Sequence, residues 1–191
     1  STKLLKDEEL LLTSVNIETE GKKRYNDDLK SISKQQPNRK LLGVFRIYLG
    51  IHNLFNKKEN SKIKNKLGEP PVIYDSTLNE KSADLMHRFL NNKGYYENIV
   101  SVVADTQKRW FSKKPSQKVK LNFKVSKNQQ YLISSIQENI KDETIRKLVL
   151  AEKNKSVLKV YDPFNLDKLN EERLRIERLL KNNGYYQFSR E

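Results

Sequence analysis

The sequence contains no cysteine, which excludes disulfide staples, thiol nucleophiles and thiolate metal sites and leaves the redox state of its compartment open. Histidine is almost as scarce: His52 and His87 are the only two, and neither stands at a metal-ligand spacing. No stretch approaches the ~18 apolar residues that a spanning helix needs. No signal-type apolar segment follows a basic start, so an exported protein of this sequence is expected to have lost its leader. A P-loop, a dinucleotide fingerprint and a nucleophile elbow are all missing. The paired acids Asp27/Asp28 and Glu171/Glu172 are expected at helix starts, where they complement the dipole. The expectation is a protein without catalysis, with no catalytic residue, no metal and no cofactor.

Turning to what is present, 191 residues suffice for one or two domains. Hydrophobic residues make up 36% and charged residues 32%, against typical values of ~45–50% and ~25%, so cores are expected to be small. Lysine and arginine number 38 against 24 acids, a net charge of +14. That balance favours an anionic partner such as nucleic acid, acidic headgroups or lipopolysaccharide, without choosing among them. Lysine and asparagine occur throughout the chain, and part of the excess simply solvates polar faces.

An internal echo organises the chain. Asn91-Asn92-Lys93-Gly94-Tyr95-Tyr96 returns as Lys181-Asn182-Asn183-Gly184-Tyr185-Tyr186, each copy preceded by an amphipathic helix. The first helix starts near Thr77 with Glu80 completing a capping box, and places Leu78, Leu85, Met86, Phe89 and Leu90 toward one side. The second carries Leu166, Leu169, Ile176, Leu179 and Leu180. Gly94 and Gly184 read as left-handed helix stops, and the tyrosines behind them suit a strand opening. Ile73-Tyr74-Asp75 and Val160-Tyr161-Asp162 form a second matched pair upstream of the helices.

Ile99 to Ala104 is a β-rich run, and Val119, Leu121, Phe123 and Val125 alternate with polar residues at the period of a half-buried strand. Thr13, Val15 and Ile17 alternate in the same way ahead of Gly21. A helix is expected over Tyr25 to Gln35, stopped by Pro37. The first module therefore reads strand, helix, helix, strand, strand. The second repeats the opening with a strand at Tyr131 to Ile136, a helix at Asp142 to Leu150 and the helix at Leu166 to Asn182, and is expected to be incomplete. The domains are expected over residues 1–128, with an insertion at about 36–70, and residues 129–191.

A tandem α+β unit of this order, closed by Gly-Tyr, resembles the POTRA domain of the outer-membrane assembly superfamily. The segments Gln36-Pro37-Asn38-Arg39-Lys40-Leu41-Leu42-Gly43 and Gly68-Glu69-Pro70-Pro71-Val72-Ile73-Tyr74-Asp75 are similar to those of the TamA-like lipoprotein branch called TamL. The resemblance implies a periplasmic scaffold, tethered to the outer membrane, that helps to fold or insert outer-membrane proteins. Its implied partners are nascent outer-membrane proteins, the protein's own carboxy-terminal β-barrel and a TamB-like protein. The barrel is not in this sequence, and the branch's lipidated cysteine is expected just upstream of Ser1. In that family the strand after Gly-Tyr is an edge, which makes Ile99, Val100, Ser101, Val102, Val103 and Ala104 the expected client-binding residues by strand addition.

Two further segments hold candidate contacts. Leu41 to Phe55 is apolar but too short to span a bilayer; it is either an extra packed helix, burying Phe45 and Leu49, or a surface for membrane or partner. Lys57, Lys58, Lys62, Lys64 and Lys66 follow it and suit anionic headgroups or a solvated loop. Lys108, Arg109, Trp110, Phe111, Lys113 and Lys114 interleave charge with aromatics in a hairpin loop. Such a loop can stack on single-stranded nucleic acid, anchor at a membrane interface or fold back on the sheet. A basic module binding nucleic acid or an anionic membrane surface is thus the rival class, with nucleic acid disfavoured by the absence of any recognised motif.

Overall fold

The computed structural model describes residues 5–39, 46–55, 66, 68–106 and 116–189. The chain is α+β, with one three-stranded mixed sheet. It divides into two compact units: one runs to His87 and resumes over Ile99–Ser126, and the other comprises Arg88–Asn98 and the chain from Lys127 onward.

The first unit opens with β1 (Leu11–Thr19), followed by α1 (Asn26–Ile32), α2 (Ile47–Leu54), the first part of α3 (Thr77–Asn92), β2 (Ile99–Thr106) and β3 (Lys118–Ser126). β3 lies centrally, parallel to β1 and antiparallel to β2. Its alternation is the one expected: Val119, Leu121, Phe123 and Val125 are all buried. Leu11, Leu12 and Val15 of β1 join them, with Leu29, Leu49 and Met86 from the three helices. β1 extends two residues further upstream than its period suggests. The register with β3 shifts between Leu12 and Ser14, and this bulge lets Leu11, Leu12 and Thr13 all be buried in succession. The Thr13 hydroxyl donates to the Val119 carbonyl at 2.8 Å, which satisfies a polar group inside the core.

α1 is shorter than the expected Tyr25–Gln35 span. Past Ile32 the chain turns away, and Gln35 is buried with its side chain committed to distant backbone: Nε2 donates to the Asp75 carbonyl at 2.7 Å and Oε1 accepts from the Asp75 amide at 3.0 Å. Helix propensity loses here to a bidentate tertiary contact. Asn38 repeats the device, donating to the Pro70 carbonyl at 2.7 Å and accepting from the Val72 amide at 3.1 Å, and the Arg39 amide donates to the Glu69 carboxylate at 2.9 Å. The two distinctive sequence segments are thus clamped to one another. Thr77 is the first residue of α3 rather than its cap. Asp75 takes that role, its carboxylate accepting from the Thr77 amide at 2.9 Å and hydroxyl at 2.7 Å, which holds its pKa below the ordinary carboxylate value. In α2, Leu49 is fully buried, whereas Phe45 lies outside the described residues.

The second unit contains α4 (Glu143–Ala151), a short 3-10 turn (Lys153–Lys155) and α5 (Leu166–Asn182). Asp142 caps α4 by accepting from the Thr144 and Ile145 amides, and Asn165 caps α5 by accepting from Asp167. The expected strand at Tyr131–Ile136 is not formed. Its backbone pairs only briefly with one segment: Ile133 donates to the Asp162 carbonyl, and Tyr161 and Phe164 donate to the carbonyls of Ile133 and Tyr131, while the Tyr131 amide turns to the Gly94 carbonyl. All that remains of sheet is one isolated bridge, Leu132 with Pro163. The first unit carries a comparable bridge, Leu11 with Ile73. The acids Glu171 and Glu172 fall in the second turn of α5, not at its start. Glu172 is buried and receives the Arg175 guanidinium at 2.7 Å and the Val157 amide at 3.1 Å.

Candidate strand-addition edge

The strand order β1-β3-β2 makes both β1 and β2 edges of the sheet, but the two are treated differently. The first half of β1 is closed from outside. Leu12 donates to the Val72 carbonyl at 2.9 Å, Tyr74 donates to that of Leu10 at 2.8 Å, and the Arg46 guanidinium caps the Thr13 carbonyl. The segment that performs this closure, Val72–Tyr74, is the one held in place by Asn38 and Gln35. Along β2, by contrast, each residue from Ile99 to Thr106 pairs one-to-one with β3 on its inner side and, among the described residues, with no strand on its outer side.

The residues expected at the client-binding edge all fall in β2. Val100, Val102 and Ala104 pair with Val125, Phe123 and Leu121, and so share the core face of the sheet. Ile99, Ser101 and Val103 pair with Ser126, Lys124 and Asn122, which puts them on the outer face. That face is otherwise polar: Asn16 and Asn122 hydrogen-bond across it at 2.8 Å, and Lys120 and Lys124 stand opposite Asp105 and Ser101. Ile99 and Val103 are nonetheless 63% and 46% exposed there. Edges are commonly protected against further pairing by charge, proline or a bulge. From Ile99 to Ala104 there is neither charge nor proline, and no register shift interrupts the β2–β3 pairing.

Gly94 and Gly184 end α3 and α5 in the same way. Their φ angles are +85° and +93°, Tyr95 and Tyr185 donate back to Leu90 and Leu180, and the glycine amides bond Asn91 and Lys181. These are paired Schellman bonds that satisfy the last helix carbonyls. Surroundings distinguish the two glycines. A Cβ on Gly94 would lie 2.7 Å from the Phe164 carbonyl oxygen, whereas one on Gly184 would meet nothing within 4 Å. Around Gly94, Tyr96 packs edge-on against Tyr131 and beside Phe164, and Lys93 pairs with Asp167. The Gly94–Tyr96 turn therefore belongs to the second unit, a placement that helix patterning alone does not announce.

Lys57, Lys58, Lys108, Arg109, Trp110, Phe111, Lys113 and Lys114 lie outside the described residues, as do Lys62 and Lys64. One feature without a counterpart in the sequence reading is an apolar groove of about 650 Å³ in the second unit, walled by Ile136, Ile145, Leu169, Ile176, Leu180 and Phe188. The apolar stripe of α5 was its only signal. Among the described residues no cluster of three or more histidine or acidic side chains is placed to hold a metal, and no helix is long and apolar enough to cross a membrane. No protein-family model and no curated protein matches the chain.

Proposed function

We propose that this chain is a tandem POTRA-like scaffold that works without catalysis in the periplasm, in an outer-membrane protein assembly or translocation factor of the TamA-like lipoprotein type. It captures extended segments of nascent outer-membrane proteins by strand addition to β2. A TamB-like protein, the factor's own β-barrel and the membrane surface are the further partners of this reading. The observation that carries it is the regular β2 edge, rich in β-branched residues and without an outer partner among the described residues, in the same sheet as a β1 edge whose first half is closed. Main-chain pairing makes little demand on sequence, which suits a scaffold with many clients. The described elements of the first unit run strand, helix, helix, helix, strand, strand, and with α2 taken as the expected insertion the remaining order is the one this reading calls for.

The test is crosslinking of an unfolded outer-membrane protein to variants of the chain. Val102→Pro removes a backbone donor and obstructs pairing, and Val103→Lys places a charge on the exposed face of the edge while leaving the backbone intact. Both are expected to reduce capture severalfold with the circular dichroism spectrum retained. Neutralising Lys108, Arg109, Lys113 and Lys114 together is expected to do less, and its effect to shrink in high salt, because exposed charges are screened within about 8 Å at physiological ionic strength. Loss of capture in the charge variant with retention in both edge variants would overturn strand addition in favour of an anion-binding loop.

A further inference from the structure

The β2 edge differs from an ordinary amphipathic edge strand in carrying β-branched apolar residues on both faces. A sheet strand with one buried face specifies register strongly, since a slip of one residue turns every side chain to the opposite face. On β2 that discrimination is weak. An incoming strand would meet half-buried Val100 and Val102 on the core face, and Ile99 and Val103 on the outer face. Cross-strand partners directly alongside are the unit of sheet stabilisation, so an apolar residue of the client finds a β-branched neighbour whichever way its apolar face points. The outer face of β3 offers no comparable surface, carrying Lys120, Asn122 and Lys124. Ile99 and Val103 consequently have no apolar neighbour across the sheet that would account for them.

We infer that β2 accepts an alternating apolar/polar strand in both phases, apolar face toward the core or apolar face outward, in registers one residue apart. The inference rests on the strand-addition reading and names its substrate class: segments of strict two-residue alternation, of either parity. Strands of an outer-membrane barrel alternate in this way, lipid-facing with lumen-facing. Tolerance of phase lets successive strands of one client add at the same edge without a search for parity.

Because the chain has no cysteine of its own, the phase can be read by disulfide trapping. Ser101→Cys reports the outer face and Ala104→Cys the core face, and both native side chains are small and exposed. The probe is the peptide Thr-Val-Thr-Cys-Thr-Val-Thr, whose single cysteine lies on its valine face, under mild oxidation by glutathione. Two-phase binding predicts trapping at both positions at comparable rates. Adding Ile99→Thr and Val103→Thr should slow trapping at position 101 about fivefold or more, two cross-strand apolar pairs being lost, and leave trapping at position 104 unchanged. Trapping at one position alone, or no effect of the threonine pair, would overturn two-phase binding while leaving strand addition intact. Trapping at neither position would overturn the strand-addition reading itself.

Discussion

Gly94 and Gly184 have the same sequence context and the same helix-stopping role, yet they should respond differently to substitution. At Gly184 an alanine meets no neighbouring atom, so its penalty is that of a left-handed L-residue, about 1 kcal/mol. At Gly94 the same penalty applies, and the new Cβ is driven to 2.7 Å from the Phe164 carbonyl oxygen and 3.3 Å from that of Tyr131. Those are backbone atoms and cannot rotate aside. Tyr131 in turn donates to the Gly94 carbonyl, and Phe164 donates to that of Tyr131, each at 2.8 Å, so relief of the clash strains both bonds. Overpacking of this kind adds about 1–3 kcal/mol, giving a total near 2–4 kcal/mol for Gly94→Ala. Asparagine separates the two terms, because it tolerates the left-handed region but still carries a Cβ: Gly184→Asn should recover most of the loss and Gly94→Asn little of it. Denaturant unfolding followed by far-UV circular dichroism measures the totals, and hydrogen exchange at the Tyr131 and Phe164 amides localises them. Equal losses for the two alanine variants, or unchanged exchange at those amides in Gly94→Ala, would refute the close-approach argument.

Asn38→Ala should destabilise the first unit by about 1–3 kcal/mol, because it leaves the Val72 amide and Pro70 carbonyl without their partner; an unfolding midpoint unchanged from the parent would contradict the clamp. Asn38→Ala should also raise hydrogen exchange at Leu12 and Tyr74, whose bonds close the β1 edge. Burial pushes the Glu172 carboxyl upward, but the Arg175 guanidinium, the Val157 amide and the Ser156 hydroxyl outweigh it and leave its pKa below the ordinary value. A carboxylate depressed on folding contributes stability that is present above its unfolded pKa, about 4.3, and is lost as pH falls through the folded value. The second unit should therefore weaken below about pH 4, and Glu172→Gln should be less stable at neutral pH with a flatter acid limb, as followed by pH-dependent thermal melts. A parallel acid limb in the two proteins would exclude this pair as its source.

Much of the helical structure was readable from the chain because a helix satisfies its backbone within its own residues. The Gly-Tyr stops and the α5 span Leu166–Asn182 depend on residues within a few positions. The alternation of Val119 to Val125 was equally plain, since β3 lies in the middle of its sheet and one face must be core. Strand identity elsewhere was decided by partners far away in sequence. Tyr131–Ile136 has the composition of a strand and stops at a single bridge because its antiparallel pairing with Tyr161–Phe164 does not continue past Ile133. Thr13 is buried through a bulge that only the register with β3 creates. That the β1 edge is half closed follows from Asn38 and Gln35 fixing a loop more than thirty positions away, a contact between side chains and distant backbone that no periodicity encodes. The sequence by itself determined the two long helices, their glycine stops and which face of β3 is core; the tertiary structure alone decided where α1 ends and which strand pairs on one side only among the described residues, because hydrogen bonds between strands are made across the chain and not along it.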